Sequence, residues 1–311
     1  MAKSQPRRVT DLLPERYHSI AENEITKSLL FLSPAIFIFF LVSVFPIIFG
    51  IWMGLTTRGI GGANISFVGL ENFQTLAGDA DFKMSLWRGG VYAFYSVFVQ
   101  TLLGVLIALV LNESFRFANI VRTIVILPYL VPTVAIAFVF RWILNAQYGV
   151  VNYVLLATGL RAEPLSFFSM ETAMHSVVWI SSWKFTIFVV LVVLARIQAI
   201  DSELYELAKI NGANIYRRFM DVTLPNIKNV LLLVVLLRGI WMFNRFDVIW
   251  LLTQGGPLDR TMTLVVLAYI TAFQTSSMGM AAAMVTVMFV LLLVSAMVYI
   301  QLFDPEREVE Q

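Results

Sequence analysis

Cysteine is absent from the 311 residues, which excludes disulfides, thiolate metal sites and cysteine nucleophiles. Histidine is almost absent: His18 and His175 are too few and too far apart for a histidine-based metal centre. Charge is scarce as well, with 14% charged residues against 59% hydrophobic ones. A soluble domain has roughly 25% charged residues, so this deficit points to a lipid solvent. The sequence has neither a glycine-rich phosphate loop of Walker type nor a nucleophile beside a general base, which argues against an ATPase or other catalytic site in this chain. The first 28 residues lack a short apolar core followed by a small-residue cleavage site, and the expectation is a retained tail.

What the sequence has instead is long apolar runs. A membrane-crossing helix needs about 20 apolar residues, and six runs meet this: Leu29–Leu55, Leu86–Leu111, Val121–Leu144, Ala173–Ile197, Val230–Leu252 and Met278–Phe303. The expected fold is all-α, a polytopic membrane protein of six transmembrane helices over residues 29–303, flanked by tails 1–28 and 304–311. Val150–Leu160 and Thr263–Phe273 are too short to span and read as interfacial helices. Pro34, Pro46, Pro128 and Pro132 fall inside spans, as local bends for packing or as gating hinges. Gly59, Gly61 and Gly62, and later Gly255-Gly256-Pro257, mark sharp exits from the membrane.

Cations set the expected orientation. Lys3, Arg7, Arg8, Arg16, Lys27, Arg116, Arg122, Lys209, Arg217, Arg218, Lys228 and Arg307 fall on one side, against Arg58, Lys83, Arg88, Arg161 and Arg260 on the other. The positive-inside rule then places both termini and the loop 201–228 in the cytoplasm.

That loop holds a charged island, Glu203 to Pro225, between the fourth and fifth runs. It reads as two short helices meeting at Gly212. Asp201 or Ser202 can cap the first, and Glu203 and Glu206 complement the positive end of its dipole. Leu204, Leu207 and Ala208 share one face, Ile215, Phe219 and Val222 line the second helix, and Pro225 is expected to restart the chain in a new direction. A plain alternative is an amphipathic helix on the headgroups, with Arg217 and Arg218 facing anionic lipid.

At this island the sequence resembles the transmembrane permease subunits of bacterial ATP-binding-cassette importers. Their signature, approximately Glu-Ala-Ala, three residues, Gly-Ala, then Phe and Pro at set distances, stands here as Glu206-Leu207-Ala208, Gly212-Ala213, Phe219 and Leu224-Pro225. Leu207 replaces the usual alanine, and Asn211 the frequent aspartate. The resemblance narrows to the carbohydrate group, of maltose and glycerol-phosphate type, through Phe67-Val68-Gly69-Leu70-Glu71-Asn72-Phe73, Leu127-Pro128-Tyr129, Trp183-Lys184 and the stretch from Phe246 to Pro257. That last stretch is closest to the first of the two permeases that pair in these systems.

The resemblance implies a division of labour. An external binding protein delivers a sugar, this subunit and a second permease form the path in the bacterial inner membrane, and two cytoplasmic subunits hydrolyse ATP with Mg. No cofactor is expected in this chain, and no nucleic-acid partner. The island would be a coupling helix in a cleft of the ATPase, with Glu206 paired to a basic residue, Gly212 making the turn, and Ala208, Ala213 and Phe219 packing. Pro225 closes the signature.

Ionisable groups inside spans are functional candidates because burying charge in lipid is costly. Here they are Arg141, Lys184, Arg238, Arg245 and Asp247, of which Arg141 and Asp247 lie near span ends and can reach the interface. The resemblance places the sugar path at Lys184, Phe185, Phe188, Arg238, Trp241, Met242 and Arg245. Aromatic faces beside hydrogen-bond donors suit a hydroxylated ring, although such aromatics also pack helices. Three cations on one path admit an acidic or sulfonated sugar, while Asp247 can neutralise one of them.

Other classes fit less well. A secondary ion-coupled transporter is expected to show inverted repeats and broken helices around a midplane ion site, and no such repeat is visible. An intramembrane enzyme needs paired carboxylates or histidines at depth, where Asp247 stands alone. An importer permease for phosphate or an amino acid shares the coupling signature; the Gly-Leu-Glu-Asn-Phe stretch and the Gly-Gly-Pro exit favour sugar.

Overall fold

In a lipid solvent every backbone polar group must find its partner within its own segment, so long apolar runs fold as helices. The computed structural model describes residues 24–57, 59, 65–113, 116 and 118–303, and these are almost wholly helical. The tails 1–23 and 304–311, with their cations, lie outside the described residues, as do Arg58, Gly61 and Gly62. The chain divides into two units after Met53.

The described residues of the first unit form one apolar helix in three pieces, α1 (Glu24–Phe39), a π turn (Phe40–Val44) and α2 (Phe45–Gly54), whose last residue already belongs to the second unit. Pro34 stays inside α1. The π turn has a cause in Pro46. Proline has no N–H and its ring collides with the carbonyl four residues back. Widening that turn to i→i+5 bonding, with the Phe45 N–H donating to the Phe40 carbonyl, relieves the conflict without breaking the helix.

The second unit holds α3 (Glu71–Gly78), α4 (Ala80–Asn112), α5 (Ala118–Leu130), α6 (Thr133–Ile143), α7 (Val150–Ala157), α8 (Ala173–Gln198), α9 (Ser202–Ile210), α10 (Ile215–Arg218), a second π turn (Phe219–Thr223), α11 (Leu224–Phe243), α12 (Asp247–Thr253), α13 (Leu264–Phe273) and α14 (Met278–Phe303). Helix α8 is the central element, buried along most of its length. It packs chiefly on α4, with α11 against both, and α13 lies on α14. Two apolar clusters stack along α8. One joins Tyr92, Val97, Val177, Phe185 and Met242, and the other joins Ala108, Val189, Val193, Ile227 and Val234 near the island.

Among the described residues, five helices are long and apolar enough to cross a membrane, or six if a bent pair counts as one span. That pair corrects the expected run Val121–Leu144. Its halves meet at 99° where Pro132 leaves the helical region, with ψ at 139°. Proline also pushes the preceding residue, Val131, away from helical angles. The fifth run is corrected too. The helix expected over Val230–Leu252 starts earlier, at Ile215, and stops at Phe243; Asp247 opens the separate α12, which packs on α6. Pro225 does not redirect the chain: the second π turn accommodates it as the first does Pro46, with the Leu224 N–H on the Phe219 carbonyl.

The Phe67–Phe73 stretch earns its residues by clamping the chain after α2. The Asn72 side-chain amide donates to the Gly54 carbonyl at 2.8 Å and the Thr56 carbonyl at 3.0 Å, and the Val68 N–H donates to the Leu55 carbonyl at 2.9 Å. These are carbonyls that a helix end leaves without partners. Replacing Asn72 by Ala should cost about 1–3 kcal/mol and speed hydrogen exchange at the Thr57 and Val68 amides. Unchanged exchange there would show that the clamp carries no stability.

Candidate functional site

Two groups of residues stand out, one on the island and one on the facing surfaces of α8 and α11. On the island, α9 starts at Asp201, whose carboxylate accepts the Glu203 N–H at 3.0 Å. It ends as a Schellman motif: the Ala213 N–H reaches the Ala208 carbonyl at 2.9 Å and the Gly212 N–H reaches the Lys209 carbonyl at 3.0 Å. Gly212 sits at φ +74°, the left-handed angle the motif requires. Asn214 then caps α10, its side chain accepting the Arg217 N–H at 2.9 Å.

The island therefore has a fixed shape, and its apolar side chains are not covered. Ile210 is 82% exposed, and Leu204, Leu207, Ile215 and Tyr216 are exposed as well. Glu206 is exposed, Ala208, Ala213 and Phe219 are half-buried, and Pro225 is exposed. One hydrogen bond ties the first helix of this knob to the second π turn, and two more brace the helix that follows. Tyr205 Oη lies 3.0 Å from Thr223 Oγ1, joining α9 to the second π turn. Arg196 Nε, at the end of α8, donates to the Asn226 carbonyl at 2.9 Å, and Asn226 Nδ2 donates to the Val222 carbonyl at 2.8 Å. The second half of the knob, α10, runs through the π turn into α11 as one helix of 29 residues.

The second group is built around Phe185, which is buried on α8. Its ring centroid lies 4.2 Å from the Arg245 guanidinium carbon, 5.4 Å from that of Arg238 and 5.5 Å from Lys184 Nζ. Arg238 also sits 5.7 Å from Trp241 and 6.0 Å from Phe188, whose rings meet edge to face at 5.0 Å. Met242 is fully buried and places its sulfur 3.6 Å from an Arg238 nitrogen. Trp241 is 40% exposed and presents the open aromatic surface of the group.

All seven residues expected on the path are thus brought together. Arg141 is exposed in the last turn of α6 and stands apart from them. Lys184 has a structural duty as well: its Nζ donates at 2.6 Å to the carbonyl of Val131, at the break in the bent pair. A terminal carbonyl of α5 is satisfied there by a side chain from α8.

Gln100 on α4 is the member that sequence reasoning missed. It is fully buried, and its Oε1 accepts the Arg238 Nε at 2.8 Å and a second bond from the terminal nitrogen of the same guanidinium. A lone glutamine among apolar residues was the available signal. Tyr92, another missed polar group, donates to Ser181 Oγ at 2.7 Å behind the same cluster.

Residues 100–309 match the family model described as binding-protein-dependent transport system inner membrane component. The chain is 32% identical over 273 residues to the trehalose/maltose transport system permease protein MalF of Thermococcus litoralis, covering 88% of this chain and 92% of that one. It is 28% identical over 276 residues to the sulfoquinovosyl glycerol transport system permease protein SmoG of Agrobacterium fabrum, covering 88% and 89%. Its fold matches a chain of a bacterial alginate ABC transporter, solved in complex with an alginate pentasaccharide-bound periplasmic protein, at TM-score 0.78 and 23% identity over 95% of this chain and 98% of that one. With a family model over most of its length and a relative 32% identical over 88% of it, the chain belongs to the binding-protein-dependent inner membrane component family, the permease subunits of ATP-binding-cassette importers.

Proposed function

We propose that this permease works in a sugar importer, forming with a second permease the path for a saccharide handed over by an external binding protein. The relatives named for trehalose/maltose and sulfoquinovosyl glycerol transport support sugar as the solute class, and the aromatic and donor surface around Trp241 suits one. Two cytoplasmic subunits that bind ATP and Mg drive the cycle, and this chain contributes no nucleotide site. Both termini and the island face the cytoplasm.

The observation that carries this reading is the island: a rigid knob with exposed Leu207, Ile210 and Ile215, continuous with the helix that bears Arg238 and Trp241. Exposed apolar side chains on a charged surface call for a protein cover, and a helical knob transmits a rigid-body motion that a loose loop would dissipate. In this reading Glu206 pairs with a basic residue of the ATPase, Gly212 sets the corner, Ala208, Ala213 and Phe219 pack into the socket, and Pro225 completes the coupling segment. An amphipathic helix on the headgroups has no need of the Schellman corner or of the tether from Tyr205.

The natural absence of cysteine makes the test direct. A single Ile210→Cys should react with a maleimide added to inside-out vesicles and not to intact cells, and bound ATPase should protect it. In proteoliposomes, saccharide-loaded binding protein should raise ATP hydrolysis and uptake together. Labelling from outside, or uptake driven by an ion gradient with no ATPase present, would refute the proposal.

A further inference from the structure

Charge on the path does not balance. Lys184 is 5% exposed and Arg238 2%, and a charge at such depth is costly unless paired. Yet every hydrogen-bond acceptor recorded for the two is neutral: the Val131 carbonyl for Lys184, and the Gln100 amide oxygen with the Met242 sulfur for Arg238. Arg245 alone has a carboxylate, Asp247, at 3.5 Å. That is long for a charge-assisted bond, which favours about 2.7–2.9 Å. The pair is loose, and Arg245 Nε and Asp247 Oδ1 are both buried without a hydrogen bond. Around Phe185, then, three cations face one carboxylate among the described residues, and contacts with aromatic faces do not neutralise a formal charge.

Position 100 sharpens the point. A glutamate there would reach the same guanidinium and cancel its charge. Glutamine holds Arg238 in the same place and leaves the charge standing.

The geometry points to a solute with an anionic group: a saccharide carrying a carboxylate, sulfonate or phosphate. Its ring lies on Trp241 and the edge of Phe188, and its anion takes the accessible part of the Arg245 side chain, which is 22% exposed, displacing the loose contact with Asp247. Lys184 and Arg238 stay behind the aromatic wall and supply the field that holds the anion there, since charges in a water-poor site act over several ångströms. This inference rests on the sugar-path reading proposed above.

The test uses the complete importer in proteoliposomes with its own binding protein. Uronic-acid, sulfonated and neutral oligosaccharides, inorganic sulfate and phosphate, and amino acids are each scored for binding to that protein, then for uptake and stimulated ATP hydrolysis. Acidic saccharides should be the transported class. Gln100→Glu, nearly isosteric and able to pair with Arg238, should lower their uptake about tenfold or more, as should Arg245→Gln on the more exposed cation. Both variants should still co-purify with the ATPase in normal yield, which separates a lost charge from a lost fold.

Transport of neutral saccharides alone, or acidic-saccharide uptake unchanged in both variants, overturns the anionic inference and leaves the sugar path standing. Transport of inorganic anions or amino acids with no saccharide overturns the sugar path itself.

Discussion

Gly212→Val is expected to abolish solute-stimulated ATP hydrolysis and uptake, with membrane insertion and yield unchanged, whereas Gly212→Asn keeps most of both activities. The contrast follows from the corner. An added Cβ at Gly212 meets nothing within 4 Å, so crowding inside this chain is not the obstacle. The obstacle is the backbone angle: at φ +74° an L-residue costs roughly 1–2 kcal/mol, and a β-branched side chain is worse placed still, while asparagine visits this region readily. Valine therefore shifts the corner out of the left-handed region and breaks the two bonds from Gly212 and Ala213 that close α9. The knob then loses its angle to α11. The measurement is hydrolysis by the reconstituted importer with and without loaded binding protein, beside the amount of ATPase that co-purifies. Full activity in Gly212→Val would remove the coupling role. Equal loss with Asn would move the requirement from the backbone to the partner's surface.

The same corner marks what the sequence makes legible. Gly212 and the Asp201 cap could be read directly, because local backbone chemistry determines both. Pro225 misled because a proline normally ends a helix; the π turn that absorbs it depends on the continuity of a helix of 29 residues, which local propensity does not encode. Pro132 shows the converse. Four prolines lay inside apolar runs, and only Pro132 produces a sharp break, at a site where Lys184 from another helix stands ready to accommodate the freed carbonyl. That compensation is tertiary, between residues 53 apart in sequence.

The path residues were legible as a set because they carry charge or aromatic rings in apolar runs. Gln100 was not, since a neutral amide raises no alarm in a hydrophobic count, although it holds the Arg238 guanidinium without adding an opposing charge. Only the fold brings it to a partner 138 residues away.

The spans that carry the path depend on one close approach, and the second large effect is expected there. A Cβ built at Gly104 on α4 would lie 2.6 Å from both Cβ and Cγ1 of Val189 on α8. Val189 is fully buried, as is Ala108 one turn along α4, so small residues on one helix receive the valine ridge of the other. In lipid, helices associate largely through such packing, and small residues permit it. Neither atom of Val189 can yield, because Cβ is fixed by the helix and a β-branched side chain has one favoured rotamer there. Gly104→Ala should therefore force α4 and α8 apart, at a cost of about 1–3 kcal/mol or more, and lower both the thermal unfolding midpoint of the purified complex and its transport rate. The decisive comparison is with Val189→Gly. In the natural background that change empties packed space and should destabilise; in the Gly104→Ala background it vacates the volume the new methyl needs and should stabilise. A single substitution that reverses sign between two backgrounds identifies direct contact, as a double-mutant cycle requires. If Val189→Gly lowered the midpoint equally in both, the two helices would lie farther apart than this packing, and the alignment of Gln100 on α4 with Arg238 would need another support.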